Sequence, residues 1–129
     1  AAIKNNNRFL QIYDNRWKCW LFPYFRSTQN NNKENIDLSI SNLLKIQLST
    51  KYIAQAKHCK YSVSDGVYKI YNHKLYMIRL DELPEYMDKD EFEIGDKVFK
   101  WLSIGEMEED FDIMSKNDDV IAFVKKRCC

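Results

Sequence analysis

Arg16-Trp17-Lys18-Cys19-Trp20-Leu21-Phe22-Pro23-Tyr24-Phe25-Arg26-Ser27 gathers two of the chain's three Trp, two Phe, a Tyr, a Pro and three cations into one short run. Trp20 and Phe22 alternate with Cys19 and Leu21, so both faces of an extended segment are apolar, the pattern of an internal strand. Pro23 has no N–H to give to a ladder and ends the pairing. Tyr24, Phe25 and Arg26 then stand at the mouth of the strand, where α/β sheets receive ligands. The same text also fits a core strand with an amphipathic exit.

Upstream, Arg8 to Asp14 reads as a strand that Asp14-Asn15 turns back into the Trp17 to Phe25 strand as a hairpin. Downstream, Ser27 to Glu34 is a polar, Asn-rich loop expected to be mobile. Asn35 or Asp37 is placed to cap a helix carrying Leu38, Ser41, Leu44 and Leu48, with Ile40, Leu43 and Ile46 beside them. Residues 51–80 give several β-type segments, with Ser64-Asp65-Gly66 as a turn in which Gly66 can take positive φ. Asp81 to Asp96 holds eight acids against one base and is expected to be a solvated loop. Lys97 to Leu102 is a final short strand. Ser103/Glu106 and Ser115/Asp118 have capping-box spacing, so two helices follow, the second over Asp118 to Arg127 with its acids first and its cations last.

The order predicts one α/β (α+β) domain over all 129 residues. An apolar content of 45% suits a packed core, and no run of apolar residues is long enough to span a bilayer. The opening Ala1-Ala2, without an initiator Met, is read as that of a fragment or of a chain carrying a cloning scar. Cys19, Cys59, Cys128 and Cys129 show neither CxxC spacing nor a partnered His cluster, so no disulfide framework and no metal are expected, and Cys128-Cys129 is expected to fray. The net charge of +1 hides an asymmetry: residues 1–80 sum to +9 and residues 81–129 to −8. A basic half rich in aromatics suits a binder of a phosphorylated ligand.

Phe99-Lys100-Trp101-Leu102-Ser103-Ile104-Gly105-Glu106-Met107 resembles the strand-to-helix step of Nudix domains, Asn117 to Val124 resembles their closing helix, and Trp20-Leu21-Phe22-Pro23 resembles the strand that precedes their glycine pair. The resemblance implies an α/β/α sandwich around a mixed sheet. In place of the glycine pair stand Tyr24 and Phe25. The family's Mg²⁺ is held by glutamates one turn apart on a helix, whereas here no Asp or Glu occurs between Asp37 and Asp65. The family's metal-dependent hydrolysis is therefore not expected, and no cofactor is implied.

Among degenerate members the chain resembles the SMODS-associated Nudix group of bacterial anti-phage (CBASS) effectors, through Trp20 to Phe25, Lys57/Lys60-Tyr61-Ser62 and Tyr68 to Tyr71. That likeness implies a non-catalytic second-messenger sensor that binds a cyclic oligonucleotide, a homo-oligomer, and no nucleic acid polymer as partner. It also implies a cytoplasmic domain, tethered to the inner membrane only through a segment absent from this chain.

Nine residues are candidates for the site. Tyr24, Phe25 and Arg26 would line the old substrate cleft, or else their rings plug an empty metal site. Lys57, Lys60 and Ser62 are read as one strand face offering two cations and a hydroxyl to phosphate, or else as an ordinary exposed face. Tyr68 and Tyr71 can stack bases, or serve as ordinary sheet aromatics. His73, in a polar island, is a candidate donor, whereas His58 is read as structural. Two rival functions stay open: a Nudix-like hydrolase using carboxylates from Glu82 to Glu93 or Asp110 to Asp112, and a module that self-associates through its charge halves.

Overall fold

The computed structural model describes residues 1–26, 32–62 and 65–128, with the backbone alone for Ser62. Its strands are β1 (Ala2–Asn5), β2 (Arg8–Asp14), β3 (Cys19–Leu21), β4 (Lys51–Ser62), β5 (Val67–Arg79), β6 (Glu91–Ile94) and β7 (Lys97–Ser103). The helices are α1 (Asn32–Leu44), α2 (Ile104–Glu108) and α3 (Phe111–Cys128), with a 3₁₀ turn at Glu85–Met87. The strands form one mixed sheet ordered β4-β5-β1-β2-β7-β6. β1 runs parallel to β5, and the other pairings are antiparallel. This is the α+β fold that the element order implied, built on the mixed sheet that the resemblance implied.

The pleat explains the layers. Successive side chains of a strand point to opposite faces, and neighbouring residues here join different cores. Ala2, Phe9, Leu75 and Leu102 pack with Ile104 and Met107 of α2 and Ile113, Ile121 and Val124 of α3. Their neighbours Ile3, Leu10, Tyr76 and Trp101 pack with Ile36, Ile40 and Leu44 of α1. One helix covers one face and two cover the other.

Several boundaries differ from the sequence reading. The strand expected from Trp17 to Phe25 shrinks to three residues, because β3 pairs only with the end of β2, beside β1 rather than inside the sheet. α1 begins at Asn32, so Asn35 and Asp37 lie inside it rather than capping it. The Asp37 carboxylate instead accepts from Thr50 N at 2.9 Å and Thr50 Oγ1 at 2.5 Å, tying the helix to the start of β4. Burial alone would raise the Asp37 carboxyl, but the hydrogen bonds from Lys33 and Thr50 outweigh it and hold it below its ordinary value. The buried stripe is Ile36, Ile40 and Leu44, whereas Leu38 is 63% exposed. Lys45 takes a left-handed φ of +61° and ends the helix, leaving Leu48 buried in the loop beyond it.

Residues 51–80 form two long strands rather than several short ones, and Gly66 takes φ +67° at their turn. Val63 and Ser64 lie outside the described residues, as does the part of the expected mobile loop over 27–31. The acidic run is not one loop, since it folds into the 3₁₀ turn and β6, held by Trp101 Nε1 donating to Met87 O at 2.9 Å. The Ser103/Glu106 capping box is present. The last helix starts at Phe111, and the start expected at Asp118 is a kink at Asn117 (φ −137°, ψ 25°). Cys128 is buried rather than frayed. Among the described residues no helix is long and apolar enough to cross a membrane.

These packing positions predict that Ile40→Ala costs about 2–5 kcal/mol. Leu38→Ala should stay within about 0.5 kcal/mol of the parent. Urea denaturation of the two variants checks the contrast.

Candidate functional site

Two places on the sheet gather chemistry. The first is an open cleft of about 490 Å³ lined by residues 12–16 at the end of β2, Pro23, Tyr24 and Phe25 after β3, Leu43 of α1, and Asp96, Lys97 and Val98 at the β6–β7 turn. The β2–β3 turn is set locally, because the Asp14 Oδ1 atom accepts from the backbone N–H groups of Arg16 and Trp17 at 2.8 and 3.0 Å. Asp14 Oδ2 accepts the Tyr24 hydroxyl at 3.1 Å, and the Arg16 guanidinium donates to that hydroxyl at 3.5 Å. Tyr24 keeps 52% of its surface open. Tyr13 meets Trp20 edge-on at 5.3 Å. Rings, two cations and two carboxylates therefore border one cleft.

The second lies where β4 and β5 meet α3. His58 faces Tyr71 across the ladder and His73 faces Ala56, so the two histidines are diagonal neighbours on one face. Their Nδ1 atoms stand 2.8 Å apart. Asp119 of α3 brings Oδ2 to 3.6 Å from His58 Nδ1 and 2.9 Å from Lys60 Nζ. That oxygen is buried and, beyond these ion contacts, has no aligned hydrogen bond. Tyr71 stacks on His73 at 6.3 Å and Phe123 meets His58 edge-on at 6.3 Å, fixing both rings. Among the described residues this is the one group of three His, Cys, Asp or Glu side chains close enough to share an ion.

The nine candidates thus do not converge. Tyr24 and Phe25 line the cleft. Arg26 is exposed and outside its lining. Lys57, Lys60, Tyr68, Tyr71 and His73 belong to the β4–β5 hairpin, which β1 separates from β2 and the cleft. The single wall of Lys57 and Lys60 is a misreading of the strand period: residues three apart face opposite ways. Accordingly Lys60 is paired with Asp119 whereas Lys57 is exposed. The Ser62 side chain lies outside the described residues. Tyr68, 74% exposed, meets Tyr61 at 5.1 Å near the hairpin tip.

The sequence reading passed over Tyr13, Arg16 and Lys97 at the cleft and Asp119 at the cluster, and read His58 as structural. Counting the ladder back from the turn at Gly66 would have put the two histidines together. Asp119 carries no such local signal, because the sequence shows it only as an acid near a helix start.

No protein-family model matches the chain, and no curated protein matches it.

Burial foremost, then the charges of Lys60 and His58, hold His73 below its ordinary value of 6.5, against the pull of Asp119. The folded chain therefore binds fewer protons at this imidazole than the unfolded one. The stability linked to it is full above about pH 6.5 and is lost as pH falls through the lower folded value. The groups facing it are His58 and Lys60 from β4, Tyr71 from β5 and Asp119 from α3. Urea midpoints should fall between pH 7.5 and pH 5, and His73→Asn should shrink that fall; an equal fall in the variant would remove His73 as its source.

Proposed function

We propose that this chain is a non-catalytic nucleotide-binding module whose cleft takes bases against Tyr24, Tyr13 and Phe25 and phosphate against Arg16 and Lys97. The observation that carries the reading is the cleft itself, a concavity within the usual size of ligand sites in which half-open rings lie beside guanidinium and ammonium groups. Aromatic faces accept any base, and cations pair with phosphate oxygens. α1 brings Leu43 rather than a carboxylate to this cleft, which supports binding without the Nudix route to hydrolysis. The proposed ligand class is the cyclic oligonucleotide that the family resemblance implies, so the module would act as the sensor of an anti-phage effector, in a homo-oligomer.

Thermal shift against cyclic di- and trinucleotides, linear nucleotides and nucleoside diphosphate compounds, with and without Mg²⁺, tests the reading. A metal-independent rise confined to cyclic nucleotides is expected. A rise only with a linear diphosphate and Mg²⁺ would replace the sensor with the hydrolase. Tyr24→Ala should weaken binding by about 1–3 kcal/mol, the usual worth of one base-stacking ring. Tyr24→Phe should preserve most of it, because the ring remains and only the hydroxyl's links to Asp14 and Arg16 are lost. Lys57→Ala, across β1 from the cleft, should leave affinity unchanged.

A further inference from the structure

We infer that His58, His73 and Asp119 form a binding site for a zinc-class divalent transition metal ion that clips the β4–β5 hairpin to α3. The three residues come from three different elements and each brings a ligand atom within 4.8 Å of the others; His58 Nδ1 stands 2.8 Å from His73 Nδ1 and 3.6 Å from Asp119 Oδ2. Imidazole nitrogen selects first-row ions such as Zn²⁺, Co²⁺ and Ni²⁺ over Mg²⁺ and Ca²⁺, which prefer oxygen. The set also sits at ligand scale. Two nitrogens bound tetrahedrally to one ion at ~2.05 Å stand about 3.3 Å apart, so the 2.8 Å pair need only open by about half an ångström.

The surroundings favour the ion over a bare histidine pair. Asp119 Oδ2 is buried and, apart from its ion contacts with His58 and Lys60, has no hydrogen-bond donor, so a carboxylate oxygen stands beside the histidine pair with lone-pair capacity to spare. Tyr71 and Phe123 pack against the two rings, part of an apolar shell of the kind that limits solvent access at metal sites. The Asn117 kink lets a second helical segment begin just before Asp119 and turn its carboxylate to the sheet. Three protein donors leave a fourth position for water or an anion.

Binding needs one tautomer change. In the 2.8 Å contact one Nδ1–H donates to the other Nδ1 lone pair; when the ion enters, that proton moves to the outward Nε2 of the donor ring and both Nδ1 lone pairs face the metal. Lys60 competes for the same oxygen. Its ammonium already reaches the Lys116 carbonyl at 3.4 Å, which gives it a place to stay when the ion takes Asp119. The inference is independent of the nucleotide reading, since the cluster and the cleft lie on either side of β1.

The full chain, stripped with EDTA, is titrated with Zn²⁺ and with Co²⁺. One ion per chain and a rise in Tm of roughly 5–10 °C at hundredfold excess over Kd are expected. Co²⁺ should give visible ligand-field bands without a thiolate charge-transfer band in the near ultraviolet. His58→Asn and His73→Asn should abolish both signals. Lys60→Gln should tighten binding about tenfold by removing the competing cation, the scale of changes around a ligand shell. A chain whose Tm does not respond to Zn²⁺ overturns the proposal, as does an undiminished response in His73→Asn or a thiolate band that assigns the ion to cysteine. The parent chain's cobalt spectrum and Lys60→Gln decide the matter even where the histidine variants do not fold.

Discussion

The rest of the structure depends on the pleat of the central strands. Because Ala2 and Ile3, Phe9 and Leu10, Leu75 and Tyr76, and Trp101 and Leu102 are adjacent pairs of large or buried apolar residues, they send hydrophobic surface to both faces of one sheet. Neither face can be left wet, since burying each Leu, Ile or Phe among them contributes about 1.5–3 kcal/mol. One face is met by the stripe of α1, the other by α2 and α3. The acidic segment is then held over the α1 side, where Met87 and Phe92 enter the same core and the Trp101 indole donates to Met87 O.

That cover ends before the sheet does. β5 is buried at Leu75 and Tyr76 but exposed from Val67 to Asn72, because α3 reaches only the part of the hairpin nearest the core. The boundary falls at His58 and His73. There Phe123 gives way to Asp119 as the residue facing β4, and polar side chains meet with water partly excluded. Electrostatic contacts are stronger in such a place than on an open surface. The cleft has a different origin: β3 is short, it lies beside β1 on the edge of β2, and Pro23 ends it. The chain leaving β3 and the β6–β7 turn border a gap, so Tyr24 and Phe25 are left at its wall.

Much of this was legible because it is local. The β2–β3 hairpin followed from Asp14-Asn15, the last strand from Lys97 to Leu102, and α2 from the Ser103/Glu106 box, each encoded within a few residues. The place of Tyr24 and Phe25 at a cleft followed from their position after a strand-ending proline. What failed involved choices between packing partners. Leu38 and Ile40 are equally apolar in sequence, yet only Ile40 meets the sheet. Phe92 lies among acids that hide a strand, and β6 forms there because β7 offers an open edge to pair with.

The sequence by itself determined the succession of strands and helices, the caps, the turns and the side chains able to line a cleft, because period, propensity and capping act between near neighbours. Only the tertiary structure decided which of those side chains share a site. The histidines meet through the register of a long hairpin, and Asp119 joins them because α3, kinked at Asn117, is pressed onto that face by its own apolar residues. Contacts of that kind are set by burying two faces of one sheet at once, a constraint that no single segment carries.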